Sequence, residues 1–138
     1  MADYVQSALR QMLLNDSTIF SHVSNRIFPW IAGQDYPLPV IVFQDITQEV
    51  DNTLQGQTDY NTILMSYRVI SDSYEQTILV SNQVKRVFNI ISGTYYGIRF
   101  GGIKVESIDG DYDSEIQIKG DPGLFSRIVL ARVNFNES

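Results

Sequence analysis

The most constraining feature of the sequence is a group of three prolines, Pro29, Pro37 and Pro39, which restrict the backbone of one short segment. Each ring holds φ at about −65° and removes a backbone donor, and the residue before each proline is pushed out of the helical region. The backbone is therefore extended when it reaches the apolar run VIVF at 40–43. The sequence predicts a short strand over 26–28, a proline-bounded loop and a buried strand, in that order.

A short amphipathic helical unit precedes this segment. Between residues 4 and 14, apolar side chains recur at the three- and four-residue spacing of one buried helical face. Asp16 or Ser17 can cap a second helical turn, which carries Ile19 and Phe20. We expect this unit to deliver the chain to the first strand.

Two longer strands follow the prolines and are predicted to pair with each other. Residues 40–49 begin as a continuous apolar run and then alternate, whereas residues 60–71 alternate throughout. Residues 50–59 are mostly Asp, Asn, Gln, Gly and Thr, a composition typical of a polar connection too long for a tight turn. We expect this connection to project from the body of the protein.

The strongest helical pattern begins after residue 72. Asp72 and Glu75 have the spacing of a capping box, and Gly93 is predicted to end the helix. The predicted buried stripe comprises Tyr74, Ile78, Val84, Val87, Phe88 and Ile91. This helix needs a sheet face against which to bury that stripe.

The remaining segments predict strands at 98–100, 103–108 and 124–135, with a glycine pair at 101–102 and an acidic turn at 109–113. Strands that follow one another through short turns favour an antiparallel sheet. The predicted fold class is therefore α+β: an antiparallel sheet with one long helix packed on a face and a short N-terminal helical unit.

Size and composition limit the function classes. The chain has 138 residues, 43% hydrophobic and 19% charged, so we expect one globular domain over residues 1–138. No apolar run approaches the roughly 18 residues that span a bilayer, so no membrane association is expected. A net charge of −6 opposes general binding of nucleic acid. The absence of cysteine excludes disulfides and thiolate catalysis and disfavours a structural zinc site.

No catalytic, cofactor-binding or metal site is predicted. Asp109, Asp111 and Asp113 alternate as in a calcium-binding loop, but Ser114 and Gly120 replace the required glycine and glutamate, which favours a solvated turn. The glycines near residue 101 follow a helix and precede a strand, the reverse of a phosphate-binding loop. The single histidine, His22, lies in a short polar turn, which favours a surface position over a catalytic one.

The proline-bounded segment carries a family resemblance. With the helix before it, the segment resembles the tail-completion (tail terminator, head–tail joining) proteins of long-tailed bacteriophages, in which a helix, an R-I-[YF]-P turn and an L-P-[YV]-[IV]-V strand follow one another. The residues that match these motifs are Arg26, Ile27, Phe28, Pro29, Leu38, Pro39, Val40, Ile41 and Val42.

The resemblance implies a structural role in the virion. Similar proteins assemble as a ring, usually of six subunits, on the last ring of the tail tube protein, end tube polymerisation and join the head connector or adaptor protein. The implied location is the tail or neck of the virion after assembly in the host cytoplasm, and DNA would pass through an acidic lumen without specific binding. No enzymatic activity is implied.

The predicted contact residues lie in two polar segments and the proline-bounded loop. Aromatic rings in that loop can either plug the core edge or anchor a partner, and polar loops often carry the contacts of a scaffold. The residues expected at a subunit or partner interface are Trp30, Tyr36, Asp51, Asn52, Thr53, Leu54, Gln55, Gln57, Thr58, Asp109, Asp111, Tyr112 and Asp113. Unpaired strand edges are expected at 124–135 or 40–49, where a neighbouring subunit could add a strand.

Two alternatives remain open at this point. One is a small α+β enzyme or ligand-binding module with its site in a cleft beside the long helix. The other is a different neck or tail-tube protein of the same kind of particle.

Overall fold

The structure, a computed structural model, describes residues 4–29, 39–53, 56–89, 92–113 and 124–136, with the backbone alone described at 48–53, 56–60, 109–113 and 124. Its elements in chain order are α1 (Val5–Leu14), α2 (Ser17–Val23), β1 (Ile27–Pro29), β2 (Val40–Thr53), β3 (Gly56–Ser71), α3 (Tyr74–Val87), β4 (Gly93–Tyr95), β5 (Ile98–Asp113) and β6 (Leu124–Asn136).

The described strands form one six-stranded sheet in the order β1-β2-β3-β6-β5-β4. Strand β1 pairs in parallel with β2, and every other neighbouring pair is antiparallel. Helix α3 packs on β3 and β6, and α1 and α2 lie against each other and against α3. The α+β prediction is confirmed.

The core lies between the helices and one face of the sheet. Alternate residues of the central strands point into it, as the period-two pleat requires. All of the following are fully buried: Ile63, Met65, Tyr67 and Val69 of β3, and Val129, Ala131, Val133 and Phe135 of β6. The Phe88 ring lies 4.9 Å from the Tyr67 ring, between centroids, and so joins the end of α3 to the sheet.

The prediction that residues 50–59 form a long polar loop is wrong. Strands β2 and β3 continue through it, with Asn52 opposite Gln57 and Thr53 opposite Gly56. Ladder hydrogen bonds use backbone groups, so Asn, Gln and Thr can occupy a strand even though their side chains favour turns.

The acidic turn predicted at 109–113 is also wrong. Strand β5 runs without a break through Gly101, Gly102 and the acidic segment, and residues 109–113 pair with 124–128 of β6. The glycine pair coincides with a register shift between Phe100 and Gly102, which marks a bulge rather than a turn. Strand β6 lies between β3 and β5, so the expectation that 124–135 forms a free edge is wrong.

Helix α3 differs from the prediction at both ends. Its N-cap is Ser73, one residue later than predicted, and the Ser73 hydroxyl accepts from the Gln76 amide at 3.3 Å. The helix ends at Val87, well before Gly93, which belongs to β4. Tyr74 was expected in the buried stripe and is 56% exposed.

Two polar residues of α3 that the predicted stripe did not include are buried beside Val84. Thr77 and Ser81 donate their hydroxyl protons to the carbonyl oxygens of Tyr74 and Ile78, at 2.6 and 3.1 Å. A hydroxyl that is satisfied within its own helix can face the core at low cost. The buried stripe of α3 therefore includes polar positions that an apolar periodicity does not reveal.

Candidate assembly surfaces

Two arginines fasten the helical unit to the first strands. The Arg26 side chain donates from Nε to the Pro39 carbonyl at 3.1 Å and from a terminal nitrogen to the His22 carbonyl at 3.1 Å. Arg10 donates from Nε to the Ile27 carbonyl at 2.8 Å. The end of α2, the strand β1 and the start of β2 are thereby held together.

The other motif residues fill the junction between these elements. Ile27 and Ile41 are fully buried, Val40 is 3% exposed, and Pro39 is buried with them. Phe28 and Val42 are half-buried, and Pro29 is exposed. Leu38, Trp30 and Tyr36 lie outside the described residues. The described part of the motif supports the fold rather than forming a recess for a ligand.

The outer edge of β1 is closed to further strands. The Ile27 amide donates to the Asn25 carbonyl at 2.8 Å, and the Ile27 carbonyl is used by Arg10. Pro29 has no N–H to offer. A short, proline-containing edge strand whose groups are already used resists edge-to-edge pairing.

A projecting pair of strand ends, here called the arm, comprises residues 51–53 and 56–60. The pairing of β3 with β6 begins at Asn61, opposite Phe135, so the described strand residues of the arm pair only with each other. This segment projects as predicted, but its residues are paired strands rather than a loop. Of the predicted contact residues, the arm contains Asp51, Asn52, Thr53, Gln57 and Thr58, while Leu54 and Gln55 lie outside the described residues.

The second predicted group lies at the opposite end of the sheet. Asp111 is opposite Ser126, which in turn is level with Ile70 and Val40, at the start of β2. The arm begins beyond Val50, at the other end of that strand. The structure therefore does not bring Asp109, Asp111, Tyr112 and Asp113 together with the arm; it places the two groups at opposite ends of one subunit.

Two strands have long outer edges without a partner strand in the described ranges. Strand β1 covers only 41–43 of β2, and β4 covers only 98–100 of β5. No described strand pairs with the outer sides of residues 44–53 of β2, or of residues 101–106 and 108–113 of β5. Both edges carry a register shift, at Asp45/Thr47 and at Val105/Ser107. The free edge predicted at 40–49 is thus present from residue 44 onward.

A basic groove that sequence reasoning missed runs along the outer edge of β5. It has a volume of about 270 Å³ and is lined by Lys85, Asn89, Ile103, Lys104 and Val105. Both lysine side chains are exposed, and exposed Arg99 precedes them on the same strand. Spacing in the sequence gave no signal for this groove, because it joins the end of α3 to a strand whose continuity was not predicted.

An ion pair lies beside the groove. Arg132 Nε donates to Glu106 Oε1 at 2.6 Å. That hydrogen bond, with added attraction from Arg132 and Lys104, lowers the pKa of Glu106 below its ordinary range. The charge of Glu106 is therefore engaged by Arg132, whereas Lys85 and Lys104 have no ion-pair partner among the described side chains.

The sheet face away from the helices has an apolar centre that sequence reasoning also missed. Its half-buried members are Val42, Leu64, Ile70, Ile128 and Leu130. No described element covers this face. Apolar centres with polar surroundings are typical of protein–protein contact surfaces.

Comparison with solved structures finds a similar fold. This chain resembles a chain of the virion of a native gene transfer agent (GTA) particle, with a TM-score of 0.72 and 10% sequence identity. The match covers 96% of this chain and 94% of the other. No protein-family model matches the sequence, and neither does any curated protein. At this identity the likeness concerns the fold, over nearly the full length of both chains.

The described side chains of the types that most often hold metal ions are those of Asp, Glu and the single histidine. No group of three or more His, Asp or Glu side chains among them is placed to hold a metal ion. His22 is half-buried at the end of α2, where its carbonyl accepts from Arg26. No described helix is long and apolar enough to span a membrane.

Proposed function

We propose that this chain is a structural virion protein that caps a phage tail tube as a ring, ends tube polymerisation and joins the tail to the head connector. The observation that carries the proposal is the near full-length fold likeness to a chain of a GTA virion. The motif at 26–29 and 38–42, which resembles that of tail terminators, narrows the role from virion protein to tail completion. The proposed location is the tail or neck.

The placement of the predicted contact groups supports this role. A protein that joins a tube to a connector needs two separate contact surfaces, one for each partner. Here the arm and the acidic segment 109–113 lie at opposite ends of the sheet. We propose that these two ends contact the two partners.

The charge of the chain is compatible with DNA passage. With a net charge of −6 per subunit, a ring of copies repels phosphates rather than holding them. DNA would then move through the lumen without specific binding. A ring of six is the number that the family resemblance implies.

A non-enzymatic role agrees with the groove beside the long helix. The alternative of an enzyme or ligand-binding module places its site in such a cleft. The groove there is lined by two lysines, an asparagine and two aliphatic residues, which include no carboxylate or imidazole. General acid–base catalysis most often uses His, Asp or Glu, none of which lines this groove, although lysine can also serve.

The test combines solution mass with particle assembly. The purified chain is examined by analytical ultracentrifugation and negative-stain microscopy, and a phage lacking the chain is examined for tail length and head attachment. We expect the purified chain to form closed rings with an open centre. We expect the phage that lacks the chain to make overlong tails without heads, and we expect normal, joined tails when the chain is supplied. Open-ended tubes from the purified chain would instead indicate a tail-tube protein. A monomer with normal tails in the deletion would contradict the proposal.

A further inference from the structure

We propose that a depression beside β5, on the sheet face away from the helices, binds a phosphate group. The depression, here called the glycine depression, has a volume of about 330 Å³. Its lining includes Thr62, Asn89, Gly102, Lys104, Arg132 and Asn134. The inference concerns a ligand site and does not depend on the proposed ring.

The sheet register brings most of these side chains onto one face. Thr62, Asn134 and Gly102 are opposite one another on three neighbouring strands, and two residues along, Arg132 is opposite Lys104. Residues two apart in a strand point to the same face, and the intervening residues 63, 103 and 133 are buried in the core. Because glycine has no side chain, space is left between the polar groups.

Lys104 and Arg132 form a like-charged pair across the two strands. Like charges directly opposite each other destabilise a sheet. Glu106 accepts from Arg132 Nε at 2.6 Å, so one carboxylate serves two cations. Lys104 has no ion-pair partner of its own among the described side chains. An anion in the glycine depression supplies the missing negative charge.

The neutral side chains of the depression add hydrogen-bond donors. Thr62 offers a hydroxyl, and Asn89 and Asn134 each offer an amide. None of these three side chains forms a hydrogen bond within the described part of the chain. A phosphate has at least three strong acceptor oxygens and a carboxylate has two, so this set of donors suits a phosphate better.

The glycine depression is a basic site on an acidic chain. The basic groove shares Lys104 with it and adds exposed Lys85. The acidic end of β5 begins at Asp109, which is opposite Ile128, four residues along β6 from Arg132. At about 3.4 Å per residue this distance is about 14 Å. It exceeds the Debye length of about 8 Å at physiological ionic strength, so the acidic end weakens phosphate binding only slightly.

Free phosphate or a phosphate monoester is the expected ligand, rather than DNA. A duplex presents a dense row of phosphates, and the net charge of −6 on the chain repels it. A single small anion responds mainly to the cations beside it. The expected ligand is therefore compatible with DNA that passes without specific binding.

Isothermal titration calorimetry with inorganic phosphate at constant ionic strength tests the site, with sodium chloride as the blank titrant. We expect saturable binding by the unaltered chain. Lys104→Gln removes a cation, and Asn134→Asp introduces a negative charge without a change of shape. Each is expected to weaken binding at least about tenfold, because a charged hydrogen bond is lost or opposed.

Two variants elsewhere make the same charge changes and serve as matched controls. Arg68→Gln lies on the same sheet face at the level of Ile128, and Asn25→Asp lies before β1 at the opposite edge of the sheet. Both are expected to leave phosphate binding unchanged. Equal binding by the unaltered chain and all four variants, or heats of phosphate that match those of chloride, would overturn the inference.

Melting temperatures in chloride separate a lost site from a lost fold. Lys104→Gln is expected to melt at or slightly above the temperature of the unaltered chain, because the like-charged pair is removed. If that variant does not fold, Asn134→Asp still decides the question, since it keeps both cations.

A labelled DNA duplex distinguishes the two sources of phosphate. Fluorescence anisotropy at low salt is expected to show no binding of the duplex. Duplex binding that inorganic phosphate displaces and Lys104→Gln abolishes would support the site and assign it to the DNA backbone. Rings that form although phosphate does not bind would leave the tail-capping role intact and refute the phosphate site.

Discussion

Tyr67 brings a polar atom into the centre of the core. Its side chain is fully buried between Phe43 and Phe88, and its hydroxyl has no hydrogen-bond partner among the described residues. Burial strongly raises the pKa of the Tyr67 hydroxyl, which keeps the group neutral. The ring contributes packing, while the hydroxyl loses its hydration without a replacement.

We therefore expect Tyr67→Phe to leave the free energy of unfolding unchanged or to raise it by up to about 1 kcal/mol, because an unsatisfied buried hydroxyl is removed. Urea unfolding measures this change. A loss of more than about 1 kcal/mol would reveal a partner for the hydroxyl.

Phe88 offers a test of the core itself. Phe88→Ala is expected to lower the free energy of unfolding by about 3–5 kcal/mol, because the ring is fully buried and its removal leaves a cavity. Leu79→Ala is the control, since Leu79 is 53% exposed on α3, the helix that Phe88 follows, and its truncation is expected to have little effect. Urea unfolding that gives the two variants equal losses would show that Phe88 is not a core residue.

Asp16 links stability to pH. It caps α2 through the Thr18 and Ile19 amides, at 3.1 and 3.0 Å, and also accepts from Arg86. Partial burial raises the pKa of Asp16, but the hydrogen bonds from Arg86, Ile19 and Thr18 outweigh it, so the net pKa lies below the ordinary 3.8. The carboxylate is therefore more stable in the folded chain than in the unfolded one.

The resulting contribution is fully present above pH 3.8 and is lost as the pH falls through the lower folded value. We expect Asp16→Ala to lower the free energy of unfolding by about 1 kcal/mol at neutral pH. The difference from the unaltered chain should shrink in acid. Denaturant unfolding at a series of pH values measures it, and a difference that stays constant into strong acid would refute the assignment.

At the scale of elements, the start of α3 separates two candidate caps. Ser73→Ala is expected to cost about 1 kcal/mol, because the Gln76 amide loses its acceptor. Asp72→Ala, one residue earlier, is expected to cost much less, although the sequence spacing favoured Asp72. Thermal and urea unfolding of the two variants measures these losses of stability. A larger loss for Asp72→Ala than for Ser73→Ala would show that Asp72 is the N-cap.

The sequence predicted those elements whose signal is local. Periodicity placed α1, and the prolines placed β1 and the start of β2, because these features act through nearby backbone sterics. Periodicity did not predict the whole buried face of α3. The hydroxyls of Thr77 and Ser81 form hydrogen bonds within the helix, and these two polar residues can therefore be buried. Such satisfaction depends on geometry that an apolar pattern does not report.

The missed strand segments share a different cause. Residues 50–59 and 109–113 have the composition of turns, but both extend hairpins that are already paired at their base. Once Val50 is opposite Asn61, further rungs add backbone hydrogen bonds with little further loop-closure entropy. The basic groove could not be predicted for a related reason, because it depends on which residues the pairing of β5 brings beside the end of α3.

For the whole molecule, the arm provides the functional test. Replacing residues 52–58 by a tight Asn-Gly turn is expected to preserve the main unfolding transition, because the core lies below the arm. We expect the shortened chain to form rings poorly and to yield few joined particles. Analytical ultracentrifugation and complementation of tail assembly measure the two outcomes. A shortened chain that forms rings and supports joined, infectious particles would refute the role of the arm.

The paired backbone of the arm also makes its length adjustable in fixed steps. In a strand each residue adds about 3.4 Å, and side chains change face at every residue. Deleting two residues from each side of the arm would shorten its reach by about 7 Å and keep every remaining side chain on its original face. Deleting one from each side would shorten it by half as much and exchange the faces. The length of the arm can therefore be changed without exchanging its faces only in steps of two residues per strand. An engineered subunit could be matched to a neighbour at a new distance only in those steps.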